Sequence, residues 1–219
     1  METVSLIIPT LNEAETLPGV MLSVNRQSRI PREILVVDGG SADSTCEAAT
    51  IGGARVHQAT KPGRARQMNE GAAAANGSIL LFLHADTLLP PRGVEHVLAA
   101  MRDPSAVGGG FCRRFIPGHP LLSITSRLAD WRGRFASYFH GDQAIFVRRR
   151  IFEQVGGFRE ETPFEDFDLC RKLKRIGKMV TLSPPVRSSS RRFHDRGVFP
   201  TVLSDFRLTR RYFSRSPGE

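Results

Sequence analysis

The sequence predicts an α/β fold, a single domain in which a mixed, mostly parallel sheet is flanked by helices. Two apolar runs carry that expectation: Ile34-Leu35-Val36-Val37 ends on Asp38, and Ile79-Leu80-Leu81-Phe82-Leu83 passes through His84-Ala85 into Asp86. Unbroken apolar runs of this length, closed by polar and turn residues, are strands buried on both faces of a parallel sheet. Alternation is the second observation: strand-like runs and helical periodicities take turns up to about Met101, the pattern of a Rossmann-like nucleotide-binding half. The third is length, since 219 residues suffice for one large domain with an ample core.

Taken in order, Val4-Ser5-Leu6-Ile7-Ile8 opens as a strand. Leu17, Val20, Met21 and Val24 then fall at i, i+3, i+4 and i+7, one buried helical stripe, with Pro18 comfortable only in a first turn. The 34–37 strand leads into Gly39-Gly40-Ser41-Ala42-Asp43, where Ser41 or Asp43 caps a short helix through Ala49. A small third strand is expected at 56–58 and an alanine-rich helix at 63–75. After the 79–83 strand, Pro90-Pro91 precede a helix carrying Val94, Val97, Leu98 and Met101. The second half is less regular. Residues 107–115, with glycines at 108–110, read as an edge or crossing strand, 121–139 as one long helix or two short ones, 144–147 as a strand and 151–155 as a short helix. A helix over 166–176 places Leu169, Leu173 and Ile176 on one side; 179–182 and the region of Val186 return to the sheet. Beyond residue 188, Val198, Val202, Phe206 and Phe213 are spaced among arginines as in an amphipathic helix.

Charge narrows the partners. Lys and Arg number 31 against 22 Asp and Glu, a net charge of +9. Residues 187–219 hold eight arginines (187, 191, 192, 196, 207, 210, 211, 215) against Asp195, Asp205 and Glu219. An anionic partner is implied: nucleic acid, an anionic membrane or a phosphorylated small molecule. No aromatic-and-basic surface motif supports nucleic acid, which is excluded. Cys46, Cys112 and Cys170 are too few and scattered for a disulfide framework or a zinc site, and a reducing compartment follows. No secretory leader opens the chain and no run approaches the roughly 18 apolar residues of a membrane span. The expected place is the cytoplasm, peripheral at most to the inner face of the membrane.

Ligands of parallel sheets bind beyond the carboxyl ends of the strands, where Asp38 and Asp86 stand. Asp86, two residues after His84, suits a hard divalent cation holding a substrate diphosphate, or else caps the following helix. Asp38, before two glycines, either accepts from the ring N–H of a base or starts a turn. Glu165 and Asp166 sit at a helix N-terminus, where acids are favoured by the helix dipole whatever their chemistry. Trp131, Phe135, Tyr138 and Phe139 form either a sugar-stacking wall or core.

It is the order of these features that is specific. Pro9-Thr10-x-Asn12-Glu13, Asp38-Gly39-x-Ser41-x-Asp43, Gly63-x5-Asn69-x-Gly71, His84-Ala85-Asp86 and Glu165-Asp166 follow one another at sensible separations. From Val4 to Val180 the series resembles the family-2 glycosyltransferases of GT-A fold, inverting enzymes that use nucleoside-diphosphate sugars, and within them a compact bacterial subgroup. The resemblance implies that Pro9, Thr10, Asn12 and Glu13 form the first nucleotide-contacting loop and that Asp38 is the base-binding acid. Arg64, Asn69, Ala85 and Asp86 complete the nucleotide-sugar set; Asp142, Gln143 and Glu165 lie on the acceptor side; Asp166 is the general base. Asp86 would hold Mn2+ or Mg2+, with His84 and His194 as further candidate ligands. It also implies three segments: 1–105 for the nucleotide sugar, 106–187 for acceptor and catalysis, and 188–219 as a basic amphipathic tail.

The departures are informative. His84 replaces the first acid of the family's metal motif, and Met68 stands where many relatives carry arginine, so that Arg64 or Arg66 must substitute. The Gln-x-x-Arg-Trp signature of processive members is absent, with Arg191-Arg192-Phe193 a faint echo. The implied reaction is transfer of one sugar, from a UDP- or GDP-sugar most readily, to an acceptor hydroxyl that is small or lipid-linked. Two other readings stand beside it: an impaired nucleotide-sugar-binding protein on the same fold, and a sugar-nucleotide pyrophosphorylase, whose basic, glycine-rich phosphate loop is missing after the first strand.

Overall fold

The computed structural model describes residues 2–162 and 164–215, without the side chains of Arg211, Phe213 and Arg215. The first half alternates as its sequence predicts: β1 (Val4–Thr10), α1 (Leu17–Asn25), β2 (Glu33–Asp38), α2 (Thr45–Ile51), β3 (Arg55–Gln58), α3 (Arg64–Ala74), β4 (Ile79–Phe82) and α4 (Gly93–Ala100). A two-residue strand that the pattern did not announce, β5 (Thr87–Leu88), intervenes before α4. The second half runs β6 (Ala106–Ile116), α5 (Pro120–Ala136), one 3-10 turn over Gly141–Gln143, β7 (Phe146–Arg148), α6 (Arg149–Gln154), α7 (Glu165–Leu173), β8 (Lys178–Ser189), α8 (Arg191–Arg196) and α9 (Val198–Arg215).

All eight strands join one sheet in the order β3-β2-β1-β4-β7-β6-β8-β5. β2, β1 and β4 are parallel, with Ile7 opposite both Leu35 and Phe82. Because β2 lies on one side of β1 and β4 on the other, the connections reverse direction there and open a crevice beyond the carboxyl ends of β1 and β4. Alternate residues of the buried strands feed two cores. Leu6, Ile8, Val36 and Leu81 pack on one face, while Ile7, Leu35, Val37, Leu80 and Phe82 pack on the other. Gly71 lets α3 lie flat on the second face, since a Cβ there would strike Ile7 and Val37.

Of the two expectations for 107–115, an edge or a crossing strand, the edge is ruled out. β6 lies within the sheet, antiparallel to β7 and parallel to β8. Glycine makes this possible: a Cβ on Gly109 would collide with the carbonyl of Val180, so the strands approach more closely than side chains permit. Gly141-Asp142-Gln143 forms the 3-10 turn that leads into β7. β8 is one continuous strand, and its end pairs antiparallel with β5, Thr87 opposite Ser188 and Leu88 opposite Arg187. Among the described residues no helix is long and apolar enough to cross a membrane.

Candidate active site

Beyond β1 and β2 the chain closes on itself through side chains. Thr10, the last residue of β1, donates its hydroxyl to Asp38 at 3.2 Å. Asp38 also accepts from the backbone N–H of Gly40 (2.9 Å) and Ser41 (2.8 Å) and from the Ser41 hydroxyl (2.5 Å). Burial alone would raise its pKa, but these donors hold the carboxyl below the usual aspartate range. Asn12 adopts a left-handed backbone (φ 54°) and is tied to the same turn: its N–H donates to Ser41 Oγ, and its side-chain oxygen accepts from Ala42 N–H, each at 2.8 Å. Glu13 donates its N–H to Thr45 Oγ1 and accepts from Arg191 Nη2 at 2.9 Å. Pro9 is a buried strand residue opposite Val37.

The end of β4 is organised differently. Asp86 accepts one side-chain hydrogen bond, from the Thr87 hydroxyl at 3.2 Å. Burial, and then the charges of Asp142 and Glu13, push its pKa up to about 6, with Arg191 opposing. His84 is packed against the backbone of Gly141, so closely that a Cβ on residue 141 would overlap the imidazole. Its Nε2 is buried without a hydrogen-bond partner. Burial, and then the nearby Arg64 charge, pull the imidazole down to about 4, so it is neutral at pH 7 with a lone pair available on one ring nitrogen. Ala85 is buried between the two and offers only backbone.

Across the crevice, the 3-10 turn and the start of α7 bring the remaining acids. Asp166 accepts from Gly141 N–H at 2.8 Å and from Phe167 N–H at 2.7 Å, and its Oδ2 lies 3.6 Å from His140 Nδ1. Burial opposes its charge, but His140 and then the Gly141 N–H outweigh it and lower the pKa. Glu165, 4% exposed, accepts from Arg64 Nε at 2.6 Å; burial raises its pKa despite that guanidinium. Asp142 takes both oxygens to Arg113 Nη1, at 2.8 and 2.6 Å; burial is overcome by the Arg113 charge, leaving the acid at about 2. The electrostatic couplings show the convergence: His84 feels Arg64, Asp142, Asp166 and His140, and Asp86 feels Asp142 and Glu13.

Not every expected residue faces the crevice. Asn69 spends its amide on the backbone of Phe158, giving and receiving at 2.9 Å, and so clasps α3 to the 156–160 loop. Gln143 is fully buried, donating to Phe111 O and accepting from His140 N–H and Arg132 Nη2; it positions the turn and cannot touch an acceptor. Met68 is core. His194 is exposed on α8, and it joins no group of three potential metal ligands among the described residues. Of the four aromatics before Gly141, Phe139 is core, whereas Trp131 and Phe135 are exposed at 62% and 73% and are not. Four contributors were missed: His140, Arg113, Arg132 and Arg191. Only Arg113 left a signal, a charge placed inside an apolar strand run; the others acquire their positions from tertiary packing.

The donors present suit a hard or borderline divalent cation. Among the described residues no three His, Cys, Asp or Glu side chains converge as a cage. Asp86 and the orphaned Nε2 of His84 offer one oxygen and one nitrogen, the sparse set expected where substrate phosphates complete the coordination.

Comparison with known proteins agrees with this layout. The family model described as "Glycosyl transferase family 2" matches residues 5–159. A PGL/p-HBAD biosynthesis glycosyltransferase of Mycobacterium tuberculosis is 34% identical over 168 residues, 70% of this chain and 62% of that protein. This chain thus spans a little over three-fifths of that relative's length. In structure, the mannosyltransferase PcManGT from Pyrobaculum calidifontis, in complex with GDP-Man and Mn2+, superposes with a TM-score of 0.70 at 23% identity, covering 86% of this chain and 56% of that one. Glucosyl-3-phosphoglycerate synthase from Mycobacterium tuberculosis, with Mn2+, UDP and glucosyl-3-phosphoglycerate, gives 0.63 at 20% identity over 86% and 70%. At these identities the structural likeness carries the fold, a GT-A architecture, and no more. The family match extends over more than two thirds of the chain, and on that ground the chain belongs to glycosyl transferase family 2.

Proposed function

We propose that the protein transfers a single sugar from a nucleoside-diphosphate sugar to an acceptor hydroxyl, with inversion, using Asp166 as general base and a divalent cation at Asp86. The observation that carries this reading is the contrast across the crevice. At the end of β4, half-buried Asp86 accepts one side-chain hydrogen bond and His84 has a buried Nε2 without a partner, whereas Asp166, in the first turn of α7, is a carboxylate of lowered pKa with two N–H donors behind it.

The loop after β2 is pre-built to receive the nucleoside, its backbone held by Asp38, Ser41 and Asn12 before any ligand arrives. The cation, when bound at Asp86, supplies charge to the departing diphosphate. Asp166 removes the acceptor proton as the oxygen attacks the anomeric carbon from the opposite face, so one displacement inverts the centre. Its lowered pKa keeps it ionised at neutral pH, and His140 orients it. Arg64 remains half exposed even while it holds Glu165, leaving N–H donors free for a phosphate. Mn2+ or Mg2+ and a UDP- or GDP-sugar fit this reading, in line with the GDP-Man, UDP and Mn2+ of the two structural neighbours. The acceptor hydroxyl belongs to a small molecule or a lipid-linked one, and the protein works in the cytoplasm, peripheral at most to the inner face of the membrane.

One observation favours a second reading, nucleotide-sugar binding without transfer: a neutral imidazole at His84 replaces an acid of the metal motif. A thermal-shift screen of UDP, GDP, CDP and dTDP, each with and without Mn2+ or Mg2+, separates the two. Ligand at about 100 Kd stabilises by roughly 2.7 kcal/mol. A cation-dependent shift with one nucleotide, lost in Asp86→Ala and accompanied by turnover of the matching sugar, supports transfer. The same shift without turnover supports binding alone, and no shift with any nucleotide overturns both.

A further inference from the structure

α5 and α9 pack beside one another, and Leu122 of α5 joins Phe115, Phe193, Val198 and Val202 in a small separate core. Their outer sides are another matter. α5 exposes Ile124, Leu128, Trp131 and Phe135, spaced i, i+4, i+7 and i+11 on one stripe and 54%, 62%, 62% and 73% accessible. α9 repeats the device with Phe199, Leu203 and Phe206, at i, i+4 and i+7 and 70%, 37% and 65% accessible. Eight of the fourteen large apolar side chains exposed among the described residues lie on these two helices. Scattered exposed apolar residues need no explanation, but a stripe at helical spacing on each of two neighbouring helices marks a contact surface.

The charges around it select the partner. Arg127, Arg134, Arg207 and Arg210 are exposed on the same helices and have no carboxylate partner among the described residues. The acids of these helices are already taken, Asp130 by Arg114 and Asp205 by Arg192. A second copy of this chain would bring arginine against arginine in a two-fold contact, a like-charge arrangement that opposes association. Arginines beside Trp, Phe, Leu and Ile on helices lying parallel to a surface match an anionic bilayer interface.

We propose that α5 and α9 together form an interfacial docking face for anionic phospholipid bilayers, with the Trp131 and Phe135 rings seated at the boundary of headgroups and acyl chains. The inner sides of the same helices reach the acceptor side of the crevice. Arg132 of α5 holds Gln143, and the Tyr212 ring of α9 packs tilted against Phe164 and edge-on against Phe167, next to Asp166. Docking therefore sets the helices that back the acceptor side against the lipid. The docking face stands independently of the transfer reaction and is tested without substrate.

Trp131 is the only tryptophan in the chain, so the full-length protein carries its own reporter at the centre of the face. Its emission is recorded on adding vesicles of phosphatidylcholine alone and of phosphatidylcholine with one quarter phosphatidylglycerol. The expected result is a blue shift, and quenching by brominated acyl chains, with the anionic vesicles. Sedimentation with vesicles then shows binding weakened about thirtyfold in Arg127→Gln with Arg207→Gln, from about fivefold per arginine near an anionic surface. Leu128→Ser with Phe135→Ser abolishes the shift while circular dichroism stays native, as exposed positions permit. Emission unmoved by anionic vesicles, or binding equal in all variants, overturns the proposal. So does a dimer that is dispersed by the Leu128 and Phe135 substitutions and shows no affinity for vesicles.

Discussion

β2 and β4 flank β1, each is buried on both faces, and each runs into an aspartate, yet the two carboxylates end in opposite electrostatic states. Asp38 meets Gly40 and Ser41, whose N–H groups and hydroxyl turn back onto it, and Thr10 adds a fourth donor. Asp86 meets Thr87, which offers a single hydroxyl, and then β5 carries the chain away. Burial raises both, but only Asp38 has donors enough to reverse it. A strand-end acid whose own loop satisfies it is part of the scaffold. One that is half-buried and accepts a single side-chain hydrogen bond keeps oxygen lone pairs for a ligand.

Replacing the under-satisfied acid is the strongest way to test that contrast. Asp86→Asn is expected to lower kcat/KM by roughly 10²–10³, the size of effect seen when one electrostatic element is removed from a transition state. The same variant, free of nucleotide and cation, should be more stable than wild type at pH 8 by up to about 3 kcal/mol, at about 1.4 kcal/mol per unit of raised pKa. The sign follows from proton binding. The folded protein holds a proton on Asp86 that the unfolded chain has lost between about pH 4 and 6, so stability falls as pH rises through that window, and the gain in the variant disappears at pH 4. Urea midpoints at pH 4 and pH 8 measure it, and a variant no more stable at pH 8 breaks the comparison.

Asp38→Ala should do the reverse, costing about 3 kcal/mol at neutral pH because two N–H groups and two hydroxyls lose their acceptor together. In wild type that contribution is present above the ordinary aspartate value of 3.8 and is lost as pH falls through the lowered folded value. An unchanged urea midpoint would sink the argument that this loop is self-satisfied.

Asp166 lies between the extremes, since part of its support comes from His140 rather than from its own loop. His140→Phe keeps a ring against Phe167, at 4.5 Å in the native pair, but removes the nitrogen. The Asp166 pKa should rise, moving the acidic limb of the kcat/KM profile to higher pH and lowering the neutral-pH rate a few-fold, as a positioning role predicts. A profile unmoved on its acidic side removes His140 from the mechanism.

How much of this was legible in the sequence follows the same division. Parallel strands buried on both faces advertise themselves, so β1, β2 and β4 and the acids at their ends stand out from the residues alone. β6 does not, because glycines 108–110 erase the apolar signal at the place where close strand approach demands them. β5 is too short to show a period. Asp142, Glu165 and Asp166 were found through the resemblance, but their arginine and histidine partners come from β6, α3 and the turn before Asp142. Pairings across such separations leave no local pattern, and neither does the fact that Gln143 and Asn69 spend their amides on backbone.

The pairing of β5 with the end of β8 joins two parts of the protein that chain order keeps apart. Ser189 donates its N–H to the carbonyl of Asp86 itself, and two residues later Arg191 grips Glu13 beside the nucleotide loop. The donor crevice and the start of the C-terminal helices are thus one mechanical unit. If lipid docking is coupled to nucleotide binding through this stitch, thermodynamic linkage makes the coupling reciprocal: whatever factor a lipid surface contributes to nucleotide affinity, nucleotide returns to lipid affinity.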